Sequence, residues 1–189
     1  SFDHGVAGGP PAAPARRRGR SERETARDLC YTGPDMTFKV AIVGCGKIAD
    51  GHVEELAKLD LTEVVAVCDL EPLMAEQLAT RYGIKSYYSD FDKLLAVEKP
   101  DAVHVTTPPM VHLPLATRAL EAGCHVFVEK PLTLSLADSR TLVERVERAG
   151  KQLTVGYTTF FDPPAQTMRE LLPDGAIGDP VHIESYSGD

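Results

Sequence analysis

The sequence lacks any apolar run approaching the roughly 20 residues needed to cross a bilayer, so no membrane segment is expected. It also lacks a basic excess. Its 20 Lys and Arg stand against 28 Asp and Glu, for a formal net charge of −8. That balance argues against a nucleic-acid partner, because binding a polyanion requires a basic face. Cysteine is scarce, and Cys30, Cys45, Cys68 and Cys124 include no CxxC pair. Neither a disulfide framework nor a zinc site is expected. Small buried thiols in a reducing compartment fit better, which points to the cytoplasm. The histidines show no metal-ligand spacing. What is present, 43% hydrophobic and 25% charged residues, is the composition of a globular domain. The length suits one domain, or one domain and part of a second.

Residues 1–35 differ from the rest. They contain GGPPAAPARRRGR, without apolar periodicity, so a disordered leader is expected. The arginines there do not suit an export signal, which needs an apolar stretch after them. They do not suit a nucleic-acid arm either, since Glu22, Glu24 and Asp28 follow.

From Phe38 the pattern becomes regular. Short β-rich runs at 38–44, 63–69, 84–88, 101–107, 125–129 and 153–157 alternate with helical stretches. The helical stretches are 47–59, 71–83, 90–98, 112–123 and 135–150, the first carrying Ile48, His52, Val53, Leu56 and Leu59 at helical spacing. The β-rich runs are nearly continuously apolar, as strands covered on both faces should be. Such alternation predicts an α/β fold, a doubly wound parallel sheet with right-handed crossovers, over residues 36–156. After Gly156 the rhythm breaks. Residues 161–178 read as a helix opened by prolines, and 180–189 as a strand with no partner in the sequence. Residues 157–189 are therefore expected to begin a truncated α+β domain.

Gly44-Cys45-Gly46-Lys47-Ile48-Ala49 reads GxGxxA between the first strand and the first helix. The first glycine permits a tight turn, and the second leaves room for a pyrophosphate. The alanine lets helix and strand pack closely. Free N–H groups and the helix dipole at Gly46, Lys47 and Ile48 would hold the phosphates. The motif alone is weak, but its strand-to-helix setting is the required one and makes this a Rossmann-type sheet. Strand two ends in Asp69, placed to accept hydrogen bonds from both adenosine ribose hydroxyls and to repel a 2′-phosphate. Leu70 and Glu71 follow it without an arginine, so NAD is favoured, with NADP as the alternative. Asp69 is equally placed to cap the helix that follows.

Further motifs follow: Thr106-Thr107-Pro108-Pro109 with His112 after strand four, then ALEAG at 119–123. HVFVEKP at 125–131, Gly156-Tyr157 and the closing GAIGDPVHIES complete the set. Together these closely resemble the Gfo/Idh/MocA family of oxidoreductases over residues 38–189. The resemblance implies that Thr106, Thr107 and Pro108 line the cofactor crevice, with His112 behind them. It implies that Glu129 and Lys130 lie by the nicotinamide ribose, that Lys130 takes part in hydride transfer, and that the bond before Pro131 is cis. It places Tyr157 on the substrate side. His104 and His125 read as structural, and His52 as packing near the phosphate turn. No arginine precedes Phe160, where relatives often carry one. The family's catalytic aspartate and histidine belong to a second domain, beyond residue 189.

The expected function is hydride transfer between a nicotinamide cofactor and a sugar, cyclitol or similar polyol. The resemblance also implies a homo-oligomer at full length. Two rival readings are a non-catalytic NAD-binding sensor of the same family, and a nucleotide-binding fragment without turnover. Lys130 within EKP favours the enzyme, a distinction that fold alone does not draw.

Overall fold

The structure, a computed structural model, describes residues 37–173 and 175–184. The expected leader at 1–35 lies outside the described residues. Six strands are present: β1 (Phe38–Val43), β2 (Thr62–Cys68), β3 (Ser86–Tyr88), β4 (Ala102–Val105), β5 (His125–Val128) and β6 (Leu153–Val155). Between them run α1 (Lys47–Leu56), α2 (Pro72–Tyr82), α3 (Phe91–Glu98), α4 (His112–Glu121) and α5 (Leu136–Ala149). A 3-10 turn (Thr158–Phe161) and α6 (Pro163–Leu171) follow β6. All strand pairs are parallel, in the order β3-β2-β1-β4-β5-β6. This is the doubly wound order of dinucleotide-binding sheets, with its switch point between β1 and β4.

Alternation along each strand divides the core between the two faces of the sheet. Val40 and Ile42 of β1 pack with Val53 and Leu56 of α1 and Leu78 of α2. Ala41 and Val43 turn the other way, towards Leu94 of α3, Leu120 of α4 and Leu142 of α5. Each helix meets the sheet with residues three or four apart, which is the spacing of one helical face. Cys45, Cys68 and Cys124 are buried free thiols among this packing. Burial pushes Cys124 up to about 11, so it stays a neutral apolar filler.

Local chemistry sets the helix ends. Ser135 accepts from Asp138 N at 3.0 Å to open α5, and Gly150 closes it in the left-handed region at φ 63°. Asp90 opens α3 by accepting from Asp92 N and Lys93 N. The first helix is shorter than the sequence spacing suggests. The Thr62 hydroxyl lies 2.8 Å from Leu56 O and 2.9 Å from Leu59 O, and Leu59 is 55% exposed. Strand β2 thus supplies the hydrogen bond that another helical turn would have made. Ile48 also departs from expectation. It is half exposed, and the buried stripe runs through Ala49, Val53 and Leu56 instead.

The strand expected at 180–189 does not form over its described part. Pro180–Glu184 makes no strand pairing, and Val181 is 98% exposed. A strand exists through its ladder with a neighbour, and none of the described strands lies against this one. Residues 185–189 lie outside the described residues.

Among the described residues, Lys99 is the one non-glycine residue held at positive φ, 48°, where it closes α3. It is exposed. The left-handed conformation costs an L-residue about 1–2 kcal/mol, against about 0.5–1 kcal/mol of extra chain entropy lost by glycine. Lys99→Gly should therefore raise stability by about 0.5–1 kcal/mol in urea denaturation. Unchanged or lower stability would contradict this account of the α3 terminus.

Candidate cofactor crevice

Parallel register aligns the last residues of the strands. Cys68 pairs with Val43, Val43 with Val105, Val105 with Val128, and Val128 with Val155. The residue after each strand end hydrogen-bonds back to its neighbour. Asp69 N donates to Tyr88 O, Gly44 N to Cys68 O, Thr106 N to Val43 O, Glu129 N to Val105 O and Gly156 N to Val128 O. Asp69, Gly44, Thr106, Glu129 and Gly156 therefore form one row along the carboxyl edge of the sheet. Ligands of open α/β sheets bind at that edge, at the switch point. A crevice of about 800 Å³ opens there, lined by Gly44, Gly46, Asp69, Thr106, Thr107 and Pro108 among others.

The turn has two glycines for two reasons. Gly44 sits at φ 97°, and a Cβ on it would lie 2.7 Å from Thr107 Cγ2 and 2.8 Å from Thr106 C. Both the backbone conformation and the close passage of the β4 loop demand glycine. A Cβ on Gly46 would meet nothing within 4 Å. That open space lies at the N-terminus of α1, which no side chain caps. Unpaired N–H groups and an open approach are what a pyrophosphate needs. The side chains of Lys47 and Ile48 are exposed, which leaves their main-chain groups facing this space.

The crevice walls are tied to the turn. Thr106 is 6% exposed, and its hydroxyl lies 2.6 Å from Gly44 O and 3.0 Å from Val43 O. The hydroxyl of Thr107 is buried without any partner. A buried unmatched hydroxyl is costly, roughly 1–3 kcal/mol, and it belongs to a residue of the crevice wall. Asp69 Oδ2 accepts from Cys45 N at 2.7 Å and Oδ1 from Glu71 N at 2.9 Å. The helix cap is Glu71, so Asp69 is not the cap that the sequence allowed. Each carboxylate oxygen keeps a lone pair for a ribose hydroxyl. Cys45 is inert, its thiol pushed up to about 12 by burial first and the Asp69 charge second.

The other end of the row carries Glu129, Lys130 and Tyr157. The Lys130–Pro131 bond is cis, as the resemblance implied. Lys130 is exposed and its ammonium has no partner among the described residues. Tyr157 is 54% exposed just beyond β6. His112 is fully buried behind the Thr106–Pro108 wall and is not among the crevice-lining residues. Its Nε2 lies 2.8 Å from Thr107 O, and its Nδ1 lies 2.9 Å from Pro131 O. It ties the β4 and β5 loops together from behind. Glu129 also turns inward, its Oε1 3.0 Å from His52 Nε2. His52 in turn meets His104, Nδ1 to Nδ1, at 2.8 Å. Burial, then the neighbouring His52, lowers His104 to about 3.

Sequence reasoning missed two wall components. Arg118 of α4 stands over the Phe91 ring at 5.2 Å and pairs with Asp92, and both Arg118 and Phe91 line the crevice. Met74 and Met110 add apolar surface to the crevice. Helical periodicity places Met74 and Arg118 outside the core stripes, but only the fold brings them together with Met110.

This arrangement is that of a dinucleotide-binding domain, with the Gly44–Gly46 turn, Asp69 and the EKP loop on one sheet edge. The sequence matches the Gfo/Idh/MocA family, described as an oxidoreductase family with an NAD-binding Rossmann fold, over residues 38–157, and the chain belongs to it. It is 35% identical over 143 residues to D-apiose dehydrogenase of Paraburkholderia graminis, covering 76% of this chain and 38% of that protein. It is 33% identical over 153 residues to scyllo-inositol 2-dehydrogenase (NAD(+)) of Bacillus subtilis, covering 80% and 44%. The scyllo-inositol dehydrogenase of Lactobacillus casei, solved with NAD(H) and scyllo-inositol, superposes with a TM-score of 0.71 at 28% identity. That match covers 76% of this chain and 43% of the other. The chain thus spans about two fifths of the length of these relatives.

The two glycines give opposite expectations. Gly44→Ala should cost about 2 kcal/mol or more of stability, through strain and overlap with the β4 backbone. Gly46→Ala should leave stability within about 0.5 kcal/mol, yet weaken NADH binding about tenfold by filling the pyrophosphate space. Thermal melts and NADH titration of the two variants check this. An equal stability loss in both would contradict the assignment.

Proposed function

We propose that this chain is the cofactor domain of an NAD-dependent dehydrogenase or reductase acting on a sugar, cyclitol or similar polyol. The observation that carries this reading is the single row on the sheet edge, with Asp69 and the Gly44–Gly46 turn lining one crevice and the Lys130 loop following Glu129 further along the same edge. The α1 N-terminus takes the pyrophosphate, Thr106, Thr107 and Pro108 form the wall, and Asp69 takes the adenosine ribose. A 2′-phosphate would meet the Asp69 charge with no cation on Leu70 or Glu71 to offset it, which favours NAD over NADP. NAD supplies the hydride acceptor when bound. Lys130 stands at the nicotinamide end, where a free ammonium beside a substrate hydroxyl favours loss of its proton. Tyr157, exposed next to it, forms part of the substrate side. Relatives that act on apiose and inositol support a polyhydroxylated substrate.

The remaining parts of the reading follow from composition and packing. The buried free thiols suit a reducing cytoplasm. No helix among the described residues is long and apolar enough to cross a membrane. The net charge of −8 gives no basic footprint for nucleic acid. At full length we take the protein to be a homo-oligomer.

The test uses the full-length gene product, assayed for NAD reduction against a panel of polyols and sugars. Lys130→Ala should lower turnover about a hundredfold or more while changing NADH affinity about threefold at most. Wild-type turnover in Lys130→Ala would remove the lysine from the chemistry. Tight NADH binding with no turnover on any polyol would favour the sensor reading.

A further inference from the structure

Alternation sends His104 to the face opposite Val103 and Val105, and Phe127 and Glu129 to the face opposite Val126 and Val128. That is the face covered by α1, from which His52 projects. The apolar cluster there is built from β1, β2, α1 and α2. Over β4 and β5 the face continues as a group of two imidazoles, one phenyl ring and one carboxylate. Phe127 stacks on His104 at 4.7 Å and meets the edge of His52 at 5.1 Å, which fixes both rings.

We propose that His52 and His104 form a positioning pair that fixes the Glu129 carboxylate and, through it, the main chain of Lys130 at the nicotinamide end of the crevice. The proposal rests on the functional reading above for the place of the nicotinamide. A carboxylate oxygen accepts and never donates, so His52 carries its proton on Nε2 towards Glu129 Oε1, 3.0 Å away. The other carboxylate oxygen accepts from Lys130 N at 3.2 Å. His52 Nδ1 is then engaged by His104 Nδ1 at 2.8 Å, so each facing atom of the pair has a partner. The side chains of His52 and Glu129 are only 11% and 12% exposed, which shelters the bond from water. The sequence makes room for this carboxylate: a Cβ on Gly156 would lie 2.6 Å from Glu129 Oε1. Neither histidine touches the crevice lining. Their effect on a ligand is indirect, through the start of the Lys130–Pro131 loop.

A purely structural pair and a positioning pair differ in which part of the cofactor notices its loss. ADP-ribose carries the adenosine and pyrophosphate but no nicotinamide. In the 189-residue chain, His52→Leu should weaken NADH about tenfold, the loss of one charge-assisted hydrogen bond, while ADP-ribose changes about twofold at most. His52→Gln, whose amide nitrogen can donate to Glu129 Oε1, should restore most of the NADH affinity. Equal weakening of both ligands, weakening of neither, or no rescue by glutamine would overturn the proposal. Amide NMR of the free chain separates this inference from the NAD reading itself. His52→Leu should move the Lys130 amide resonance more than that of Thr107. If the wild-type chain binds neither ligand, the NAD reading fails, and the Lys130 resonance alone decides: displaced, the pair stands; unmoved, it falls.

Discussion

The register of the parallel sheet is the constraint on which the crevice depends. Five hydrogen bonds, each from the residue after one strand end to its neighbour, draw Asp69, Gly44, Thr106, Glu129 and Gly156 into one line. Slipping any strand by one residue would turn its side chains to the opposite face and its loop away from the others. The tightest point in the line is the passage of the Thr106–Thr107 backbone across Gly44, where no Cβ fits. Because of that contact, the phosphate turn and the crevice wall are one rigid piece. The site is preorganised by the same bonds that close the sheet.

The groups around the crevice divide into those already committed to the protein and those left for a ligand. Thr106 is fully used in holding Gly44 and Val43, and His112 in joining the β4 and β5 loops. Asp69 is half used, anchored by two amides but with acceptor capacity remaining. Among the described residues, no side chain caps the α1 N-terminus, the Lys130 ammonium has no partner, and the Thr107 hydroxyl is buried without one. The α1 N-terminus and Lys130 offer positive partial or full charge on the same sheet edge, which suits an anionic ligand.

Much of this was legible in the sequence, because it rests on local patterns. Strand and helix alternation foretold the doubly wound sheet, and the GxGxxA spacing placed the turn and made Gly44 and Gly46 special. Other features depend on distant partners. The first helix stops at Leu56 because Thr62, on the next strand, takes its terminal carbonyl. His112 is a buried brace, since its three carbonyl partners lie at Thr107, Pro131 and Leu132. His52, His104 and Glu129 meet only after β4 and β5 are set beside β1, although the alternation within each strand already put their side chains on one face. Residues 180–184 have the alternation of a strand but no ladder to join among the described residues.

The central claim is that the row on the sheet edge is a site for NAD, with Asp69 reading the adenosine ribose. Isothermal calorimetry of the 189-residue chain with NADH and with NADPH tests it most directly. The account predicts saturable binding of NADH with one site per chain, and affinity for NADPH at least about tenfold weaker. Equal affinity for the two cofactors, or no saturable NADH binding by a folded sample, would contradict it.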